Sequence, residues 1–171
     1  MKRLILLRHA KSQIGNPGQA DRQRTLNERG VRDAQAMAAA LAAHGPQPER
    51  ILCSSSRRTR DTLAALLPQL NANTEITITD ALYDGGPEAY VEAIRNRGGD
   101  AGVLLVIGHN PGLQHFVLRL AGAGSDESVF TKIEAKFATA ALARFTLDGD
   151  WANLDYGGAR LTHYLRPKDL G

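Results

Sequence analysis

Two short, uninterrupted apolar runs constrain this chain most: Leu4 to Leu7 and Val103 to Ile107, each bounded by polar residues. A run with no polar side chain on either face belongs to a strand covered on both sides, as the inner strands of a parallel sheet are. Ile51 to Cys53 and Ile76 to Ile78 are shorter candidates of the same kind. Between them the spacing becomes helical. Val31, Ala34, Ala38 and Leu41 recur at steps of three and four, and His44-Gly45-Pro46 supplies a stop signal. Further helices are expected over about 57–69, 87–97 and 111–121. Alternating strands and helices imply a three-layer α/β/α architecture around a mostly parallel central sheet. After residue 138 the segments 139–147, 151–156 and 160–165 leave no room for crossover helices, so they read as antiparallel strands closing the C-terminal edge. With 171 residues, 43% of them hydrophobic, one domain spanning 1–171 is expected.

Several function classes recede on composition. The single cysteine, Cys53, cannot form an internal disulfide, which fits a reducing cytoplasm. Met1-Lys2-Arg3 followed by apolar residues resembles the start of a signal peptide, but Arg8 and His9 end the run after four residues. No stretch approaches the roughly 20 apolar residues of a membrane helix. The net charge of +3 is unevenly spread: residues 1–60 hold 12 Lys/Arg against 4 Asp/Glu, a balance of +8, and residues 61–171 hold 9 against 14, a balance of −5. An anionic ligand near the N-terminal half is therefore expected. Aromatics make up only 5% of the chain and do not interleave with a basic stretch, which argues against nucleic acid as that ligand.

Three polar motifs follow three expected strands. Arg8-His9 ends the first; Ser54-Ser55-Ser56-Arg57-Arg58-Thr59-Arg60-Asp61-Thr62 follows the second and opens a helix; Gly108-His109-Asn110-Pro111-Gly112 follows the strongest. Ligands of open α/β sheets bind beyond the carboxyl ends of strands. A helix start lined with arginine forks suits an anion, and cations there oppose the helix dipole unless an anion is present. Pro111 fits a first helical turn, and Gly108 would let the backbone approach a ligand. The Gly/Pro/Gln/Asn-rich segment Gln13 to Gln23 is expected to be a loop above the first strand.

Taken in order, Leu-Leu-Arg8-His9-Ala10-Lys11-Ser12, Ser54-x-x-x-Arg58-x-x-x-Thr62 and Gly108-His109-Asn110-Pro111 resemble the histidine phosphatase superfamily, with its phosphoglycerate mutase-like fold, and within it the short SixA-like phosphohistidine phosphatases. Arg24-Thr25-Leu26-Asn27-x-x-Gly30, Gly157-Gly158-Ala159-Arg160-Leu161 and Arg166-Pro167-Lys168 extend the resemblance across nearly the whole chain. It implies a hydrolase that needs no cofactor and no metal. His9 would attack phosphorus and become phosphorylated, while Arg8, Arg58 and His109, with Ser54 as a further phosphate contact, surround the phosphoryl oxygens. The chemistry suits those residue types: neutral imidazole is available near pH 7, and guanidinium forks match charge spread over three oxygens. Larger members supply a carboxylate as general acid; here Asp84 and Glu88 are both candidates. A phosphoramidate leaving group can itself carry the proton, so the acid matters less there. The implied partners are a protein bearing phosphohistidine or a small phosphorylated substrate, with phosphate ion as product.

Other readings stand beside this one. Within the same superfamily the chain could be a general small-molecule phosphomonoesterase. A cysteine-dependent phosphatase is disfavoured because Cys53 has four residues before Arg58 and six before Arg60, where that signature needs five. A non-catalytic phosphoprotein-binding module would keep the anion pocket without turnover. Arg57 and Arg60 read as the solvated face of the helix start, with contact to phosphate open for either. Asp21 reads as a solvated loop residue, His115 and His163 as surface or satisfied core residues, His44 as a helix-end residue, Asn110 as a turn residue able to add a hydrogen bond, and Trp151 and Tyr156 as packing residues.

Overall fold

The computed structural model describes all residues, 1–171. Its six strands form one sheet: β1 Lys2–Arg8, β2 Arg50–Ser54, β3 Glu75–Thr79, β4 Val103–Gly108, β5 Leu142–Leu147 and β6 Arg160–Leu165, in the order β3-β2-β4-β1-β5-β6. The β3, β2, β4 and β1 strands run parallel; β5 and β6 are antiparallel additions at one edge. The fold is the expected mostly parallel α/β/α sandwich with an antiparallel C-terminal edge.

Strand alternation assigns each apolar side chain to a layer. Leu4, Leu6, Leu104 and Val106 pack with helices α3 Pro87–Arg97, α4 Gly112–Leu120 and α5 Glu127–Ala135, through Tyr90, Ile94, Phe116, Val117 and Ile133. Ile5, Leu7, Leu105 and Ile107 face the other way, onto α1 Glu28–His44 and α2 Arg57–Leu66 through Met37, Ala38, Leu41, Leu63 and Leu66. The chain thus leaves β1 toward one face and β4 toward the other. Because β1 and β4 are neighbours, a crevice must open between their carboxyl ends.

Four expectations need correction. The β3 run is an edge strand, with Ile76 and Ile78 exposed, because only β2 flanks it. Segment 151–156 is not a strand: Trp151 is buried beneath α3 and donates from Nε1 to the Ala101 carbonyl at 2.7 Å, and that anchor bends the chain into a 3-10 turn over Trp151–Asn153. Val31 lies on the exposed side of α1, while Met37 takes a core place. The helix α5 was not foreseen; Ile133 is its sole fully buried residue, and it is started by Asp126, whose carboxylate accepts from the N–H groups of Ser128 and Val129 at 2.9 and 3.1 Å. No helix is long and apolar enough to cross a membrane.

Candidate active site

Arg8 and His9 stand at the end of β1, Ser54 at the end of β2 and His109 just past β4, on three adjacent strands. The rings of His9 and His109 lie 5.3 Å apart across the crevice. Arg58, in the first turn of α2, joins them. His9, His109 and Arg58 are only 8%, 7% and 7% exposed.

The carbonyl of Ala10 sets the state of His9. His9 Nδ1 lies 2.8 Å from that oxygen, which can only accept, so Nδ1 carries the proton and the neutral ring keeps its lone pair on Nε2. Burial pushes the His9 pKa down to about 3; the bond to Ala10 acts in the opposite direction, and His109, Arg8 and Arg58 add repulsion. His109 falls to about 4, again chiefly by burial, with Arg58 and Arg8 contributing and Asp21 opposing. Both imidazoles are therefore neutral at pH 7. His109 Nε2 is 2.7 Å from Ser54 Oγ, and its backbone N–H donates to the buried Tyr90 hydroxyl at 3.0 Å. A Cβ on Gly108 would meet that hydroxyl at 2.2 Å, so this glycine makes room for Tyr90 rather than for a ligand.

Two helix-to-loop ties hold the arginines. Thr62 Oγ1 donates to the Arg58 carbonyl at 2.8 Å and accepts from the Ala10 N–H at 3.0 Å, coupling α2 to the residue after His9. Arg58 donates from Nη1 to the Asp21 carbonyl at 3.0 Å and from Nη2 to its carboxylate at 3.1 Å. Asp21 also accepts from the Tyr83 hydroxyl at 2.5 Å and from Arg24 at 3.0 Å. These contacts, the Tyr83 hydroxyl foremost, hold its carboxyl down at about 2. Arg8 donates from Nη1 to the Phe137 carbonyl at 2.9 Å, and burial lowers its pKa. Three buried nitrogens around His9 have no protein partner: Arg8 Nε, Arg58 Nε and His109 Nδ1.

The remaining sequence candidates divide. Asp84 is exposed but lines a groove of about 200 Å³ that also contains Tyr83, His109 and His115. Glu88 instead forms an ion pair with Arg119 at 3.1 Å. Arg57 pairs with Asp61 at 2.8 Å, and Arg60 donates to the Ser55 carbonyl at 3.1 Å, so both are engaged at the helix start. Asn110 Nδ2 donates to the Phe137 carbonyl at 3.1 Å. His115 and His163 are exposed. Cys53 is fully buried, and burial pushes its thiol up to about 12, so it cannot serve as a thiolate nucleophile.

Asp21 is the main correction to the sequence reading. It is not merely a solvated loop residue; it holds Arg58. Tyr83 and the Phe137 carbonyl were also unforeseen. Nothing local marks them, because each meets the site across more than 60 residues of chain.

The model of the histidine phosphatase superfamily (branch 1) matches residues 4–86, which include Arg8, His9, Ser54 and Arg58. A structure described as a candidate phosphohistidine phosphatase SixA from Nakamurella multipartitia superposes with a TM-score of 0.85 at 30% identity, over 97% of this chain and 96% of that one. The chain belongs to the histidine phosphatase superfamily. A second candidate SixA, from Agrobacterium tumefaciens, gives 0.82 at 28% identity, covering 97% and 98%. An uncharacterised protein of Mycobacterium tuberculosis is 33% identical over 163 residues, covering 95% of this chain and all of the relative. This histidine phosphatase is accordingly a hydrolase with phosphatase activity.

Low histidine pKa values carry a prediction for this phosphatase. Between pH 6.5 and about 4 its unfolded state binds protons that the buried His9 and His109 refuse, so stability should fall as pH falls through that window. Urea midpoints between pH 7 and pH 4 should decline, and a His9→Asn/His109→Asn variant should show a shallower decline. An unchanged slope would mean that neither group has a depressed pKa.

Proposed function

We propose that this phosphatase removes the phosphoryl group from phosphohistidine carried on a cytoplasmic protein, through a phosphorylated His9, without metal or cofactor. The observation that carries the reading is the set of three unpartnered buried nitrogens, Arg8 Nε, Arg58 Nε and His109 Nδ1, around an imidazole whose Nε2 lone pair is free. In the first step His9 Nε2 forms a bond to phosphorus as the bond to the substrate imidazole breaks. The leaving imidazole keeps that electron pair and takes up a proton from solvent. In the second step water attacks the phosphohistidine, the N–P bond to His9 breaks, and the water's oxygen and protons leave as part of inorganic phosphate while Nε2 recovers its lone pair. Fixed guanidinium and imidazole donors stabilise charge on the equatorial oxygens in both steps. Neighbours described as candidate phosphohistidine phosphatases support this substrate class.

Asp84 supports a second reading, a small-molecule phosphomonoesterase. An alcohol leaves poorly without a proton, and Asp84 shares the groove of His109, whereas Glu88 is tied to Arg119. The two readings give different results for Asp84→Asn. Hydrolysis of an alkyl phosphate should fall by about 10²-fold, the lower end for a general acid, while phosphoramidate cleavage changes less than about 3-fold. Equal losses on both substrates would remove Asp84 from the acid role.

Phosphate release from phosphoramidate, a phosphohistidine protein and p-nitrophenyl phosphate, each with EDTA present, tests the proposal. The expected order of kcat/KM places the phosphohistidine protein first. Preference for p-nitrophenyl phosphate would establish the esterase reading instead. Phosphate binding without release from any of the three would establish a binding module.

A further inference from the structure

Beside the active site lies a second basic feature that catalysis does not use. A groove of about 370 Å³ is lined by Arg29 of α1, Lys132 and Lys136 of the α5 segment, and Arg166 and Lys168 near the C-terminus, with no carboxylate among its lining residues. Asp169 holds Arg166 through two bonds of 2.9 Å, and Asp33 pairs with Arg29 at 3.4 Å. Lys132, Lys136 and Lys168 are exposed and form no ion pair. Bringing three unpaired ammonium groups together raises their mutual repulsion, which an anionic partner would relieve.

The groove wall is also a wall of the active site. Lys136, Ala138 and Thr139 line the groove, while Phe137 between them turns its carbonyl to Arg8 and the N–H of Ala140 donates to the His9 carbonyl at 3.0 Å. Tyr164 anchors the same strip: its hydroxyl donates to the Lys136 carbonyl and accepts from the Ala138 N–H, both at 2.9 Å. A docked protein covers roughly 800 Å² of its partner, a disc about 16 Å in radius. The strip 136–140 borders both the groove and the active site, so a footprint of that size centred on His9 extends toward this groove.

We propose that the groove is the docking surface for the substrate protein and that it receives an acidic, Asp/Glu-rich surface flanking the phosphohistidine. The inference rests on the protein-borne substrate argued above. Charges at such a rim act mainly on association, so they raise kcat/KM for the protein substrate and leave the chemistry at His9 unchanged.

Two phosphohistidine domains serve as probes, one acidic around its phosphohistidine and one charge-balanced, with phosphoramidate as the small substrate. In K132E/K136E/K168E at low salt, kcat/KM for the acidic domain should fall about 30-fold, within the range of electrostatic steering. Cleavage of phosphoramidate should stay within about 2-fold, which also verifies the fold. The wild-type rate on the acidic domain should drop steeply with added salt and the variant's should not. If the reversal does not fold, K132Q/K136Q/K168Q should still lose about 10-fold. Unchanged rates on the acidic domain, or equal losses on all substrates, would overturn docking while leaving the phosphatase reading intact. A wild type that cleaves phosphoramidate but neither domain would remove the protein-substrate reading and docking together. Retention of single-stranded RNA at physiological salt through the same lysines would give the groove to nucleic acid instead.

Discussion

His9→Ala should lower phosphate release by about 10⁵-fold, the scale seen when a hydrolase loses its nucleophile. Nothing else nearby can take over. His109 is also neutral, but as a donor to phosphate it carries its proton on Nδ1 while Nε2 accepts from Ser54 Oγ at 2.7 Å, which leaves neither nitrogen free to attack. Cys53 is buried with its thiol raised to about 12. The variant should fold, since the lost side chain makes one hydrogen bond, to the Ala10 carbonyl, worth about 1 kcal/mol. It should also still bind inorganic phosphate, because Arg8, Arg58 and His109 remain. Single-turnover phosphate release and acid-quench trapping of phosphoenzyme measure the two halves of the claim. Residual turnover above about a thousandth of wild type, or trapped phosphoenzyme in the variant, would show that His9 is not the phosphoryl acceptor.

The readable parts of this molecule are those in which chemistry and position are close in sequence. Leu4 to Leu7 and Val103 to Ile107 became the two neighbouring inner strands because a two-sided apolar run has one stable environment. The residues after them, Arg8-His9 and His109, then had to emerge at one edge, and Ser54 with Arg58 followed from the same logic at β2. Contacts made across the fold were not readable. Asp21 looks like any loop carboxylate until Arg58 and Tyr83 arrive from other segments. Gly108 looks like a ligand-approach glycine until the Tyr90 hydroxyl is seen against it. Trp151 sits in a stretch with strand-like spacing, yet its buried bond to Ala101 outweighs local propensity and makes a turn. The helix α5 spans only nine residues and buries one of them, Ile133, so it offers few core anchors to read.

Arg58→Ala should reduce kcat/KM by about 10³-fold, the upper end for loss of one fixed donor to transition-state charge. More than a missing donor is involved. Asp21 keeps its ionised carboxylate, held down chiefly by the Tyr83 hydroxyl, and without Arg58 only Arg24, at 3.0 Å, offsets that charge beside the incoming phosphoryl dianion. Two unit charges about 6 Å apart repel by roughly 0.7–3 kcal/mol at effective dielectric constants between 80 and 20, which corresponds to about 3- to 100-fold in rate. Removing the carboxylate as well should therefore help: Arg58→Ala/Asp21→Ala should recover about tenfold over Arg58→Ala alone. In the wild-type background Asp21→Ala should instead lower activity, by about 3- to 10-fold, because Arg58 loses both its carboxylate partner and the orientation it provides. Arg58→Lys should keep the charge but lose the fork, and fall between wild type and Arg58→Ala. A complete double-mutant cycle on kcat/KM reads all of these values. Strict additivity, with the double variant worse than Arg58→Ala, would mean that Asp21 exerts no charge on the substrate and acts only through the loop it closes.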